Sequence, residues 1–150
     1  TLTIVGQDID KQYARSIRRL VNALSLNDAV IFEGHIENAE LAKFYQDCRV
    51  FVFPSMVETF GNPLLEAMAF GAPIAASHGA AMPEILGQCG VTFDPGDPND
   101  IAFAIKKLLD DANLCSALSQ KAAARAKTFT WQEISLRTLK VLRQAVADRK

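Results

Sequence analysis

Residues 54–77 read PSMVETFGNPLLEAMAFGAPIAAS, a passage that leaves one apolar run, turns, forms a helix and enters a second apolar run. Asn62-Pro63 predicts the helix start, because Asn supplies a side-chain cap and Pro is pre-set for the first helical position, where its missing N–H is not needed. Gly71, followed by Pro73, predicts the stop. The helix is therefore expected over residues 63–70. The apolar run before the turn, Val50-Phe51-Val52-Phe53, is hydrophobic at successive positions rather than alternate ones. That pattern suits a strand covered on both faces, which places it near the centre of a parallel sheet.

Outward from this passage the same alternation continues. Residues 2–5, 29–32, 50–53, 74–77 and 91–93 are short β-branched or aromatic runs, separated mostly by stretches long enough for helices. Ala14, Ile17, Leu20, Val21 and Leu24 make one helical stripe, with Lys11, Arg15, Arg18 and Arg19 on a solvated face. Leu41, Phe44 and Tyr45 make a second stripe that Asn38 is placed to cap. Further helices are expected after Asp97-Pro98, over residues 114–127, and from Thr130-Trp131 onward. The last of these carries Ile134, Leu136, Leu139, Val141 and Leu142 and needs a surface to pack on. The predicted class is α/β, a Rossmann-like parallel sheet with helices on both faces.

In such a sheet, ligands sit outside the carboxyl ends of the strands, where loops such as residues 55–61 pass into helices. The free amides and partial positive charge of the helix start suit a diphosphate, and Gly61 has no Cβ to hold its oxygens away. Glu58 stands in the loop before this point and Glu66 in the expected first turn of the helix. Like charge keeps both off phosphate. A carboxylate only accepts hydrogen bonds, so each is expected to take hydroxyls on either side of the diphosphate: ribose for Glu66, a transferred sugar for Glu58. The plainer alternatives are a helix-dipole partner for Glu66 and a solvated loop residue for Glu58.

The chain has 150 residues, 49% of them hydrophobic, giving the expectation of a single domain over 1–150. A net charge of −1 offers no general attraction to nucleic acid or to anionic membrane. Cys48, Cys89 and Cys115 are odd in number and scattered, with only His35 and His78 beside them, so neither a disulfide framework nor a zinc site is expected. These features fit a cytoplasmic protein. GxGxxG and GxxxxGK[ST] are both missing, against a dinucleotide dehydrogenase and a P-loop nucleotidase. Asp8-Ile9-Asp10 has the form of a DxD metal motif, but its position favours a cap for the first helix. His78 follows Ser77 with no GxSxG elbow and reads as a cleft-wall residue. Thr1 is no initiator, and TLTIVG already reads as a strand running into a turn, so a longer natural chain is expected.

The two glutamates, separated by seven residues and followed by AMAFGAP, together with VIFEGHI, SHGAAMPEIL, FDPGDPNDIAFAI and FTWQEI in that order, make the chain resemble the retaining glycosyltransferases of family 4, of GT-B architecture. The resemblance covers almost the whole chain and implies the donor-binding C-terminal half of such an enzyme, inactive alone. It implies that Glu66 binds ribose, that Glu58 is catalytic through a donor-sugar hydroxyl, that amides around Phe60, Gly61, Asn62 and Leu64 meet the diphosphate, and that backbone near Gly34-His35-Ile36 reads the base. It further implies a nucleotide diphosphate sugar as substrate with no cofactor and no metal, and an N-terminal acceptor domain and a first βα unit, carrying an Arg and a Lys, ahead of Thr1. A saccharide or lipid-linked acceptor, and a full-length protein peripheral to the inner membrane face, follow as expectations. The sequence departs from the family at Ala80-Ala81, where a glycine pair is common. A sugar-nucleotide epimerase or phosphorylase of the same architecture, and a non-catalytic self-associating module, stand as alternatives.

Overall fold

The computed structural model describes residues 1–148. It divides into two compact units, Thr1–Lys43 and Phe44–Lys150.

In the first unit, strands β1 (Leu2–Val5) and β2 (Val30–Gly34) flank helix α1 (Lys11–Ala23). The strands pair in parallel, Leu2 opposite Val30 and Ile4 opposite Phe32, and a register shift after Ile4 sets Val5 opposite Gly34. Asp10 caps α1, its Oδ1 accepting from the amides of Gln12 at 2.8 Å and Tyr13 at 3.0 Å. Asp8 pairs with Arg18 at 2.8 Å, so both carboxylates of Asp8-Ile9-Asp10 are engaged in fixing this helix. Arg18 is thus not simply solvated: its guanidinium also lies 4.3 Å from the centre of the Phe32 ring. No residue of 1–43 is buried, and Leu2, Leu20, Leu24 and Ile31 are each more than 40% exposed. Helix α2 (Asn38–Asp47) begins here. Asn38 is its first residue rather than its cap, because the Glu37 carbonyl accepts from Glu40 and Leu41.

The second unit holds β3 (Phe51–Phe53), α3 (Asn62–Ala69), β4 (Ile74–Ser77), α4 (Met82–Leu86), β5 (Val91–Phe93), α5 (Pro98–Asp110), α6 (Ala112–Ala126) and α7 (Trp131–Ala147). Its three strands are parallel in the order β3-β4-β5, with Val52 opposite Ala75 and Ala76 opposite Thr92. The centre of this sheet is therefore β4, not β3 as the apolar run suggested. All four β4 residues are buried, whereas the three of β3 are only half-buried. Ala75 and Ala76 are small enough for helices to approach closely, and small side chains carry little hydrophobic signal. Phe93, Ala104, Leu108 and Leu118 close over Ala75 from β5, α5 and α6.

Three helices of this unit start on side chains from the sequence reading or its neighbourhood. Asp97 accepts from the Asn99 amide at 2.8 Å, Asp111 from Leu114 at 2.8 Å, and Thr130 from Glu133 at 3.1 Å. Helix α7 has no buried residue. Trp131 is 87% exposed and Val141 67%, so the stripe that needed a surface has none within this unit.

Candidate functional site

The loop joining β3 to α3 and the loop joining β4 to α4 leave the carboxyl ends of neighbouring parallel strands, the position at which open α/β sheets take ligands. They touch: a Cβ on Gly79 would come within 3.4 Å of the Met56 carbonyl oxygen. The second loop is braced by Ser77, fully buried, whose Oγ accepts from the Gly79 amide at 2.9 Å.

Helix α3 starts differently from the sequence expectation. Gly61 is the cap, in the left-handed region at φ 81°, and Asn62 makes no side-chain capping bond because it lies inside the first turn. Gly61 is glycine for conformational and packing reasons: any Cβ there would lie 2.9 Å from Met82 Cε and 3.4 Å from the Phe53 ring. The space beside its α-carbon is filled by protein, so ligand approach is not what this glycine serves. The Leu64 and Leu65 amides both turn back to the Gly61 carbonyl, at 3.0 and 3.3 Å. Leu64, expected among the diphosphate-facing amides, is fully buried, with its amide engaged by that carbonyl. Pro63 has no amide, so among the described residues the amides of Gly61 and Asn62 are the unpaired ones at this helix end. The helix stop is as read: Ala72 and Gly71 amides return to the Ala67 and Met68 carbonyls, each at 3.0 Å, with Gly71 at φ 71°.

Both glutamates are held by hydroxyls. Ser55 Oγ lies 3.1 Å from Glu58 Oε1, and the Tyr45 hydroxyl donates to Glu66 Oε2 at 3.0 Å. Because α3 opens at Asn62, Glu66 stands just past the first turn, which has no acidic residue. A helix-dipole role weakens beyond that turn. Glu66 is exposed and Glu58 half-buried. Burial first, and then the Glu66 carboxylate, push the Tyr45 phenol above its ordinary range, so it stays a neutral donor. Sequence reasoning missed Tyr45 and Ser55 as site residues. Tyr45 showed only as part of an apolar stripe, although a buried tyrosine hydroxyl ordinarily requires a partner.

Phe60 is half-buried and meets Phe129 edge-on at 6.1 Å. Behind it a cavity of about 350 Å³, lined in part by Ala81, Glu84, Arg125 and Arg137, opens toward α4, α6 and α7. Neither glutamate of the pair lines it. Its Arg125 is occupied, donating to the Glu84 and Ile85 carbonyls at 2.7 Å each. Ala80 takes a left-handed φ of 50°, so the loop keeps the glycine-like turn without the glycine. His78 is exposed, its amide bonded to Phe93. Gly34, His35 and Ile36 belong to the other unit. Gly34, at φ 73°, ends β2 and accepts from the Gly6 amide at 2.8 Å. The His35 ring lies 3.6 Å from Glu37, and Ile36 is half-buried. The cysteines are free thiols, and no helix of the described residues is long and apolar enough to cross a membrane.

The model of the family "Glycosyl transferases group 1" matches residues 1–125. The chain belongs to this family. It is 32% identical to MMP alpha-(1->4)-mannosyltransferase of Mycolicibacterium hassiacum, across 95% of this chain and 37% of that protein. It is 34% identical to O-antigen chain mannosyltransferase B of Escherichia coli, across 71% of this chain and 28% of the other. Among solved structures, sucrose-phosphate synthase of Thermosynechococcus elongatus superimposes with a TM-score of 0.83 at 32% identity, covering 98% of this chain and 39% of that one. The Anabaena protein Alr3699/HepE, solved in complex with UDP, gives a TM-score of 0.85 at 23% identity over 96% of this chain and 41% of its own. The chain thus spans about a third of the length of these curated relatives. Its fold is the Rossmann-like parallel α/β half of GT-B enzymes.

Proposed function

We propose that this group 1 chain is the donor-binding part of a retaining glycosyltransferase that takes a nucleotide diphosphate sugar and, with an acceptor domain, passes the sugar to an acceptor hydroxyl. The observation that supports this best is the helix end: unpaired amides at Gly61 and Asn62, with a hydroxyl-tethered glutamate before it and another after it. In this reading the diphosphate lies against those two amides, where the helix N-terminus favours negative charge. Phe60 borders the same loop. Glu66 accepts from the ribose, and Glu58 from a donor-sugar hydroxyl, acting as the residue closest to the chemistry. Neither a cofactor nor a metal takes part. The acceptor, saccharide or lipid-linked, is held beside the anomeric carbon by domain closure, which makes the attack effectively unimolecular. HepE, crystallised with UDP, lends support to a nucleotide donor here.

The test is incubation of the full-length protein with a donor labelled in the sugar. Label on a non-phosphate acceptor, with the anomeric configuration of the donor kept, is expected. Label that stays on the nucleotide in an isomerised sugar, or appears as sugar phosphate, would establish the epimerase or phosphorylase instead.

The bare apolar stripe of α7 supports a second reading, self-association. An acceptor domain covering that stripe leaves a monomer, while a second copy covering it leaves a dimer. Light scattering with and without nucleotide separates them, and a dimer that binds no nucleotide would favour a non-catalytic module.

A further inference from the structure

Glu66 can serve a diol only if its carboxylate is held with acceptor sites facing outward, and the side chain is exposed on a helix surface. A free glutamate there samples several rotamers and loses that freedom on binding. Its side-chain partner among the described residues is Tyr45, 5% exposed and the buried residue of α2. The Tyr45 ring cannot swing. It packs edge-on against Phe51 at 5.4 Å and 73°, and stacks on Phe70 at 5.8 Å and 17°. Its hydroxyl therefore presents a single proton at a fixed point, 3.0 Å from Glu66 Oε2.

We propose that Tyr45 is a positioning residue that fixes the Glu66 carboxylate for a vicinal diol. The inference rests on the reading of Glu66 as the ribose-binding acid. An ionised carboxylate has about four acceptor positions. Tyr45 uses one on Oε2, leaving Oε1 and the outer side of Oε2 for two adjacent hydroxyls. A neutral donor suits this better than Lys or Arg, because it orients the carboxylate without cancelling the charge that makes it a strong acceptor. The two hydroxyls that answer this arrangement are the 2′ and 3′ groups of a ribonucleotide.

The experiment is calorimetric titration of the full-length protein with UDP, GDP and ADP, followed by the 2′,3′-dideoxy counterpart of whichever binds most tightly. Wild type is expected to prefer the ribose form. Tyr45→Phe should weaken that form about tenfold, leave the dideoxy affinity unchanged, and so shrink the ratio between them. In a Glu66→Ala background the same substitution should change neither affinity. Thermal melting of Tyr45→Phe at neutral pH should fall by a few degrees at most, since one hydrogen bond is lost while the ring remains and the released carboxylate oxygen faces water. Equal losses for both nucleotides, or no loss for either, would overturn the positioning role while leaving Glu66 in place. If Glu66→Ala itself spares the ribose preference, or no nucleotide binds, the ribose reading fails and Tyr45 falls with it. A Tyr45→Phe protein that melts early is replaced by Phe70→Leu, which loosens the ring but keeps the hydroxyl. An intermediate ribose preference supports the proposal, and an unchanged one contradicts it.

Discussion

Single residues in left-handed backbone account for much of the shape of the two site loops. Ala80 sits at φ 50° and Gly61 at φ 81°, and an L side chain in that region costs about 1–2 kcal/mol. Ala80→Gly is therefore expected to be neutral to stabilising by up to about 1 kcal/mol, because the relief of strain is partly offset by the greater freedom of glycine in the unfolded chain. Gly61→Ala should go the other way by about 1–3 kcal/mol, since Met82 must also move aside. Urea denaturation of both variants checks the pair. Tyr45 gives a pH prediction. Its phenol is raised on folding, so its contribution is fully present below about pH 10, the ordinary tyrosine value. It is lost as pH climbs further, because the unfolded phenol ionises first. Unfolding measured between neutral pH and pH 11 should show a shallower fall for Tyr45→Phe than for wild type; parallel curves would remove the linkage.

Elements were legible in the sequence wherever local chemistry decides them. The strands at Leu2–Val5, Ile74–Ser77 and Val91–Phe93 coincide with the runs read from β-branched and aromatic residues. Asp10, Asp97 and Thr130 cap the helices that their residue types announced. What was not legible depends on neighbours. The helix begins one position before the start read at Asn62-Pro63, because Gly61 turns the chain by its backbone alone and leaves the asparagine side chain nothing to cap. Strand order is likewise a tertiary property, so the more apolar β3 was placed at the centre that β4 holds. In the site, the two glutamates and the loop were readable from spacing, whereas the Tyr45 tether joins positions 21 apart and only folding brings them together. Packing on α3 is concentrated in Leu64, Ala67 and Met68, all fully buried against α4 and α6. Leu64→Ala is expected to cost about 2–5 kcal/mol. Thr130→Ala, which removes only a cap, should cost about 1 kcal/mol. Comparable losses for the two would contradict the placement of the core.

Across the whole molecule, burial is uneven. The unit Phe44–Lys150 contains every buried residue among those described, and Thr1–Lys43 contains none. Local opening follows buried apolar contact. Amide hydrogen exchange is expected to be slowest in β4 and in α5, and faster throughout β1 and β2. Protection of β1 equal to that of β4 would mean that the first unit is stabilised by something other than its own core. The start of α3 and both glutamates stand within the better-packed unit, which suits a place that must hold a diphosphate in fixed geometry. The measurement that reaches the central claim most directly is an amide NMR titration of the full-length protein with the nucleoside diphosphate it binds best. The Gly61 and Asn62 resonances are expected to move first and furthest, in step with saturation. Saturable binding that leaves both in place, and instead moves residues around Arg125 and Phe129, would contradict a pyrophosphate at the start of α3.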